Sequence, residues 1–149
     1  MTEQAYTYRN LILWQKAQDL VLAIVKLAGK LPNDRVAPTL ARQVVRSASS
    51  VSANSAEGHG RYSLGAHRNH LSIAKGSVCE TDSWVDLLCR AGYLEAEAEQ
   101  RLHADCEELM RMLTAKILDL ERRERAGGKS IREEAEIYAT DAAGLKERA

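Results

Sequence analysis

A chain of 149 residues is long enough to bury one hydrophobic core and short for two. Its 21 basic and 21 acidic side chains cancel, so bulk charge gives no drive toward nucleic acid. No apolar run approaches the ~18 residues of a membrane-crossing helix. With no Phe, two prolines and an abundance of Ala, Leu, Glu, Arg and Lys, the composition predicts an all-α domain.

The elements follow in chain order. Asn10 is the expected N-cap of a first helix running to about Gly29, in which Leu13, Ala17, Leu20 and Ile24 recur at helical spacing. Its other faces also carry Leu11, Ile12, Trp14, Val21, Leu22 and Val25, more apolar surface than one bundle core needs. Leu31-Pro32-Asn33-Asp34 breaks the helix. A second is expected from near Thr39, with Leu40, Val44, Ala48, Val51 and Ser55 inward and Gly58 and Gly60 as its exit. Ser63 caps a third helix that Gly92 ends, and a fourth spans roughly Glu95 to Arg125. Four amphipathic helices on short turns predict an antiparallel up-down four-helix bundle over residues 8–126. Residues 127–149 form a tail after Gly127-Gly128, with Ser130 and Glu133 as a capping box for a short helix or else a mobile segment, dispensable for the bundle.

Three blocks in order carry a resemblance. Leu11, Trp14, Ala17 and Leu20 read LxxWxxAxxL. The segment from Gln43 to Arg61 reads QxxRSAxSVSANSAEGxGR. Ile73, Ala74, Gly76, Ser77 and Glu80 precede Gly92-Tyr93-Leu94. The pattern resembles the four-helix-bundle proteins encoded in rRNA intervening sequences, with the accessory variability determinants of diversity-generating retroelements as more distant relatives. The resemblance implies a ring-like homo-oligomer, commonly a pentamer, that engages RNA or DNA through a basic surface. In the retroelement branch it also implies a reverse transcriptase partner. Many relatives have Arg where this chain has Val45, and aromatic residues where it has His67 and His70.

Charge distribution gives this expectation residues. From Arg35 to Lys75 six bases meet the single acid Glu57, a net of +5, whereas from Glu80 to Glu108 nine acids meet two bases, a net of −7. The basic side chains singled out for nucleic acid are Arg42, Arg46, Arg61, Arg68 and Lys75, with Arg68 and Lys75 expected on an outer face of the third helix. The same polarity equally suits copies of the chain docking basic face to acidic face, a protein-only interaction module.

Other chemistry finds little support. His67 and His70 share a helix face but lack HExxH spacing or further ligands, so they read as packing or surface groups and no metal or cofactor is expected. GxSxG and Gly-rich phosphate loops are absent, and no catalytic residue is expected. Glu57 is expected to pair with Arg46 or Arg61. Cys79, Cys89 and Cys106 are odd in number and lack CxxC spacing. No signal-peptide pattern precedes them, so they read as reduced side chains of a cytoplasmic protein.

Overall fold

In the computed structural model, residues 7–127 are described; the expected tail beyond Gly127 lies outside them. A 3₁₀ turn, Tyr8–Asn10, leads into α1 (Ile12–Ala28), α2 (Ala37–His59), α3 (Leu64–Arg90) and α4 (Ala96–Arg125). Each helix packs on its sequence neighbours, and α1 closes on α4; among the described residues the backbones of diagonal helices stay apart. Short turns and this adjacency make the expected up-down bundle. At 1.5 Å per residue α1 is about 25 Å long and α4 about 45 Å, so α1 cannot cover the whole bundle.

The apolar stripes meet in one core. Leu20 and Ile24 of α1, Val44 and Val51 of α2, Leu71, Val78, Val85 and Leu88 of α3, and Leu109, Leu113 and Leu120 of α4 are all buried. Each such side chain contributes about 1.5–3 kcal/mol of hydrophobic stabilisation. Small residues, Ala48, Ser47, Ser52 and Ser55, fill the inner face of α2. That helix has modest intrinsic propensity and is held by close packing.

Boundaries differ from expectation where local hydrogen bonding intervenes. Asn10 is not the cap of α1: it closes the 3₁₀ turn, and Leu11 precedes the helix without a side-chain cap. α2 begins two residues before Thr39, because Asp34 Oδ1 accepts from the backbone N–H groups of Val36 and Ala37, both at 2.7 Å. Pro38 fits that first turn, where its missing N–H costs nothing. The same Asp34 accepts from the Tyr93 hydroxyl at 2.8 Å, tying the α1–α2 and α3–α4 turns together at one end. These donors hold the Asp34 carboxyl below its usual range, the Ala37 N–H foremost.

Ser63 caps α3 as expected, its Oγ accepting from Ala66 N at 3.1 Å. Gly92 ends α3 in the left-handed region at φ +80, while Tyr93 N donates to Leu88 O and Gly92 N to Cys89 O. This is a Schellman closure. Gly58 does not serve as an exit: α2 continues through it to His59, and Gly60 is right-handed at φ −79.

A candidate nucleic-acid interface and the seam beneath it

The Ser-rich signature forms one side of a polar seam between α2 and α3. Thr81 Oγ1 lies 2.9 Å from Ser47 Oγ, and Ser77 Oγ lies 2.9 Å from Ser50 Oγ. Ser47 and Ser55 also donate back to carbonyls of their own helix, at Val44 and Val51. Further along, Asn54 donates through Nδ2 to Ser50 O at 2.9 Å and offers Oδ1 to His70 Nδ1 at 3.1 Å. His70 Nε2 accepts from Arg61 Nε at 2.9 Å, so the partners select the tautomer protonated at Nδ1. Arg61 also pairs with Glu57. Positions rise along α2 as their partners fall along α3, the signature of antiparallel register.

Gly58 sits at a close approach of the two helices. A Cβ there would lie 3.0 Å from both His67 Cδ2 and His70 Cβ. Small side chains thus bring α2 against α3, and paired hydroxyls satisfy the polar groups this closeness buries. Among the described residues no buried side-chain nitrogen or oxygen lacks a partner.

Outside this seam lie the basic residues. Arg42 is exposed on the outer face of α2, where its Nη2 donates to Thr39 Oγ1 at 3.3 Å. Arg46, one turn on, pairs across the groove with Glu80, whose Oε1 also accepts from Trp84 Nε1 at 3.3 Å. Its side chain remains 65% exposed. Glu57 therefore takes Arg61, and Arg46 takes a different acid. Arg42, Arg46 and Arg61 share the α2 side of the molecule.

Arg68 and Lys75 lie apart from them. Arg68 Nη1 is 3.1 Å from Glu124 Oε2, which places it in the α3–α4 groove instead of on a free outer face. Lys75, seven residues on, falls near the same helix direction and makes no ion pair among the described residues. The five cations thus form two groups separated by α3, not one stripe.

The histidines have distinct environments. His67 packs edge-on against His59 at a ring-centroid distance of 6.3 Å. Burial, followed by electrostatic interaction with Lys116, His59, Arg123 and His70, lowers its pKa to about 4. His103 is raised by its 2.9 Å hydrogen bond to Asp82. No group of three His, Cys, Asp or Glu side chains among the described residues is disposed to hold a metal ion. Burial and neighbouring acids push the Cys106 thiol up to about 12, unlike a reactive nucleophile. Cys79 is exposed, with Sγ 3.7 Å from Met110 Sδ. No described helix is long and apolar enough to cross a membrane.

Residues 9–115, more than half of the chain, match the family model described as 23S rRNA-intervening sequence protein. Among solved structures, the chain is 28% identical to a protein of unknown function from the S23 ribosomal protein family of Bacteroides thetaiotaomicron, determined at 1.70 Å resolution. The similarity covers 71% of this chain and 98% of the other, with a TM-score of 0.66. No curated protein matches significantly.

Proposed function

The chain belongs to the 23S rRNA-intervening sequence protein family, and we propose that it works as a non-enzymatic scaffold that binds structured RNA or DNA through the outer face of α2. The observation that carries this reading is the exposed pair Arg42 and Arg46, followed toward Arg61 by the small residues Ser49, Ser50 and Ala53. Small side chains let a sugar–phosphate backbone lie close, while guanidinium groups at either end reach phosphates. The Arg46–Glu80 pair is no barrier, since an exposed ion pair is worth only about 0–1 kcal/mol and exchanges readily for phosphate.

Assembly as a homo-oligomer, a pentameric ring by family resemblance, belongs to the same proposal. Leu22 and Val25 of α1 are 53% and 47% exposed, an apolar surface suited to burial between copies. Repeating one modest basic patch around a ring raises avidity without base readout. A cytoplasmic site and an intervening sequence or retroelement reverse transcriptase as partner complete the proposal.

The test is fluorescence anisotropy of a structured RNA at low and moderate salt, with Arg42→Glu and Lys75→Glu as separate variants. Neither residue makes an ion pair among the described residues, so reversal strands none of their carboxylates. Binding through α2 is expected to fall steeply with salt and to weaken markedly in Arg42→Glu, with Lys75→Glu close to the parent. Unchanged binding in Arg42→Glu, or no binding by the parent, would leave the protein-only module as the better account.

A further inference from the structure

α1, at 17 residues, is shorter than α2, α3 and α4, at 23, 27 and 30. Beside the start of α1 the described residues form a cleft of about 470 Å³ whose apolar lining includes Leu13, Leu71, Met112 and Ala115. This volume falls in the range of small-molecule pockets, which are mostly apolar with a few convergent polar groups. Its polar lining residues are Ser55, His59, His67, Lys116 and Asp119. The His67 ring nitrogens make no hydrogen bond among the described residues, and the imidazole is held neutral, so it offers one donor and one acceptor to an occupant.

We propose that this cleft binds a free small amphipathic anion, a medium-length alkyl chain or bicyclic aryl body carrying one carboxylate or sulfonate head. The body suits the apolar floor. The head suits the rim, where positive groups dominate: Lys116 and Arg123 both act on His67 electrostatically, and the acid Asp119 is already shared by Lys116 at 3.7 Å and Arg122 at 3.9 Å. In a half-enclosed apolar setting a lysine attracts an anion more strongly than it does in open water. A nucleic-acid strand fits less well, because the floor is aliphatic and lacks the Tyr, Trp or Phe faces on which bases stack. The site is separate from the Arg42–Arg46 face, so this inference stands or falls independently of RNA binding.

The experiment is isothermal titration calorimetry of the full chain with decanoate below its micellar range, against decanol and butyrate. Decanol keeps the body without the charge, and butyrate keeps the charge with little body. Ala115 is exposed, so Ala115→Phe fills the cleft without entering the core. Lys116→Glu reverses the rim. Each variant is expected to weaken decanoate by about tenfold or more, Ala115→Phe with an unchanged circular-dichroism melt, and both control ligands to bind at least about tenfold more weakly than decanoate. Decanol binding as well as decanoate, undiminished binding by Ala115→Phe, or no decanoate heat up to about 1 mM overturns the proposal. It also fails if Ala115→Phe changes the particle mass in light scattering, which would make the cleft an interface between copies.

Discussion

Asn54 and His70 hold α2 and α3 together through a fixed tautomer: Asn54 Oδ1 accepts from His70 Nδ1 at 3.1 Å while Asn54 Nδ2 is spent on Ser50. The amide cannot flip without facing its NH₂ toward the Nδ1 proton and its carbonyl toward Ser50 O. Arg61 then reads the opposite ring nitrogen. One Asn orientation therefore sets the polar register at the α2–α3 hairpin end.

Asn54→Leu should accordingly cost about 1–3 kcal/mol, because it leaves the half-buried His70 N–H without its acceptor. His70→Leu in the same background should cost much less than it does alone. Urea denaturation of the four proteins of this cycle checks the coupling. Additive losses would mean the 3.1 Å contact contributes nothing specific.

Two glycines inside helices should respond oppositely to alanine. At Gly76 a Cβ meets nothing within 4 Å, so Gly76→Ala should stabilise by about 0.5–1 kcal/mol through helix propensity. At Gly58 the Cβ would press on His67 Cδ2, His70 Cβ and the His67 carbonyl oxygen at 3.0–3.1 Å. Overpacking of this kind typically costs about 1–3 kcal/mol and outweighs the propensity gain. Thermal melts of both variants decide it; a stabilised Gly58→Ala would show that the seam relaxes freely.

The helices were legible in the sequence because apolar periodicity and breakers at Pro32, Ser63 and Gly92 agree with the packing that forms. The start of α2 was not, since the group that caps it, Asp34, looked like part of the breaker and acts on the backbone three residues later. Gly58 misled for a related reason. A glycine near a helix end usually relieves a left-handed turn, and only the position of α3 shows that this one relieves a steric contact. The basic residues were individually visible, but their division between two grooves depends on Glu80 and Glu124, acids 34 and 56 positions away from Arg46 and Arg68. The hydroxyl ladder had a readable signal: Ser47, Ser50 and Asn54 at helical spacing, mirrored by His70, Ser77 and Thr81. Nothing in one helix alone says which partner each hydroxyl meets.

Acid should expose the cost of burying His67. Its folded pKa of about 4 lies below the ordinary 6.5, so the unfolded chain takes up the proton first as pH falls. Stability is complete above about pH 6.5 and declines toward pH 4. The loss should be on the order of 1–2 kcal/mol once the solvent-facing part of the ring is discounted. His103 works in the opposite sense: its pKa is raised, so its contribution is full below 6.5 and fades as pH rises through the folded value. Comparing the parent with His67→Phe cancels that term. Denaturant midpoints at pH 7 and pH 5 should fall more for the parent than for the variant, and parallel falls would place the acid sensitivity elsewhere.

Charge reversal separates the two groups of cations. Arg68→Glu sets a carboxylate against Glu124 in the α3–α4 groove, where the parent has a 3.1 Å ion pair with side chains 37% and 42% exposed. The pair is screened, so the loss should be about 0.5–1 kcal/mol, and adding Glu124→Arg should restore it. Arg42→Glu, which breaks no ion pair among the described residues, should leave stability within about 0.5 kcal/mol of the parent. Chemical denaturation in low salt measures all three. A full loss that the exchanged pair does not recover would assign Arg68 a role beyond its partnership with Glu124.

Assembly should be separable from folding at α1. Leu22 and Val25 face away from the core residues Ala17, Leu20 and Ile24, and both are about half exposed. The paired substitution Leu22→Glu, Val25→Glu removes apolar surface from the outside of the bundle while leaving every buried side chain in place. Substitutions at such positions usually change stability by no more than about 0.5 kcal/mol each. If this face is buried between copies, two carboxylates forced into the interface carry a desolvation cost in every subunit, and the ring should dissociate to the 16.5 kDa chain. Light scattering and circular dichroism together read the result: a helical monomer from an oligomeric parent is the expected outcome. An oligomer of unchanged mass would move the contact to another surface, with the exposed Ile73 and Leu87 of α3 the next to substitute. A parent that is itself monomeric at micromolar concentration would remove the ring, and with it the avidity on which weak phosphate contacts depend.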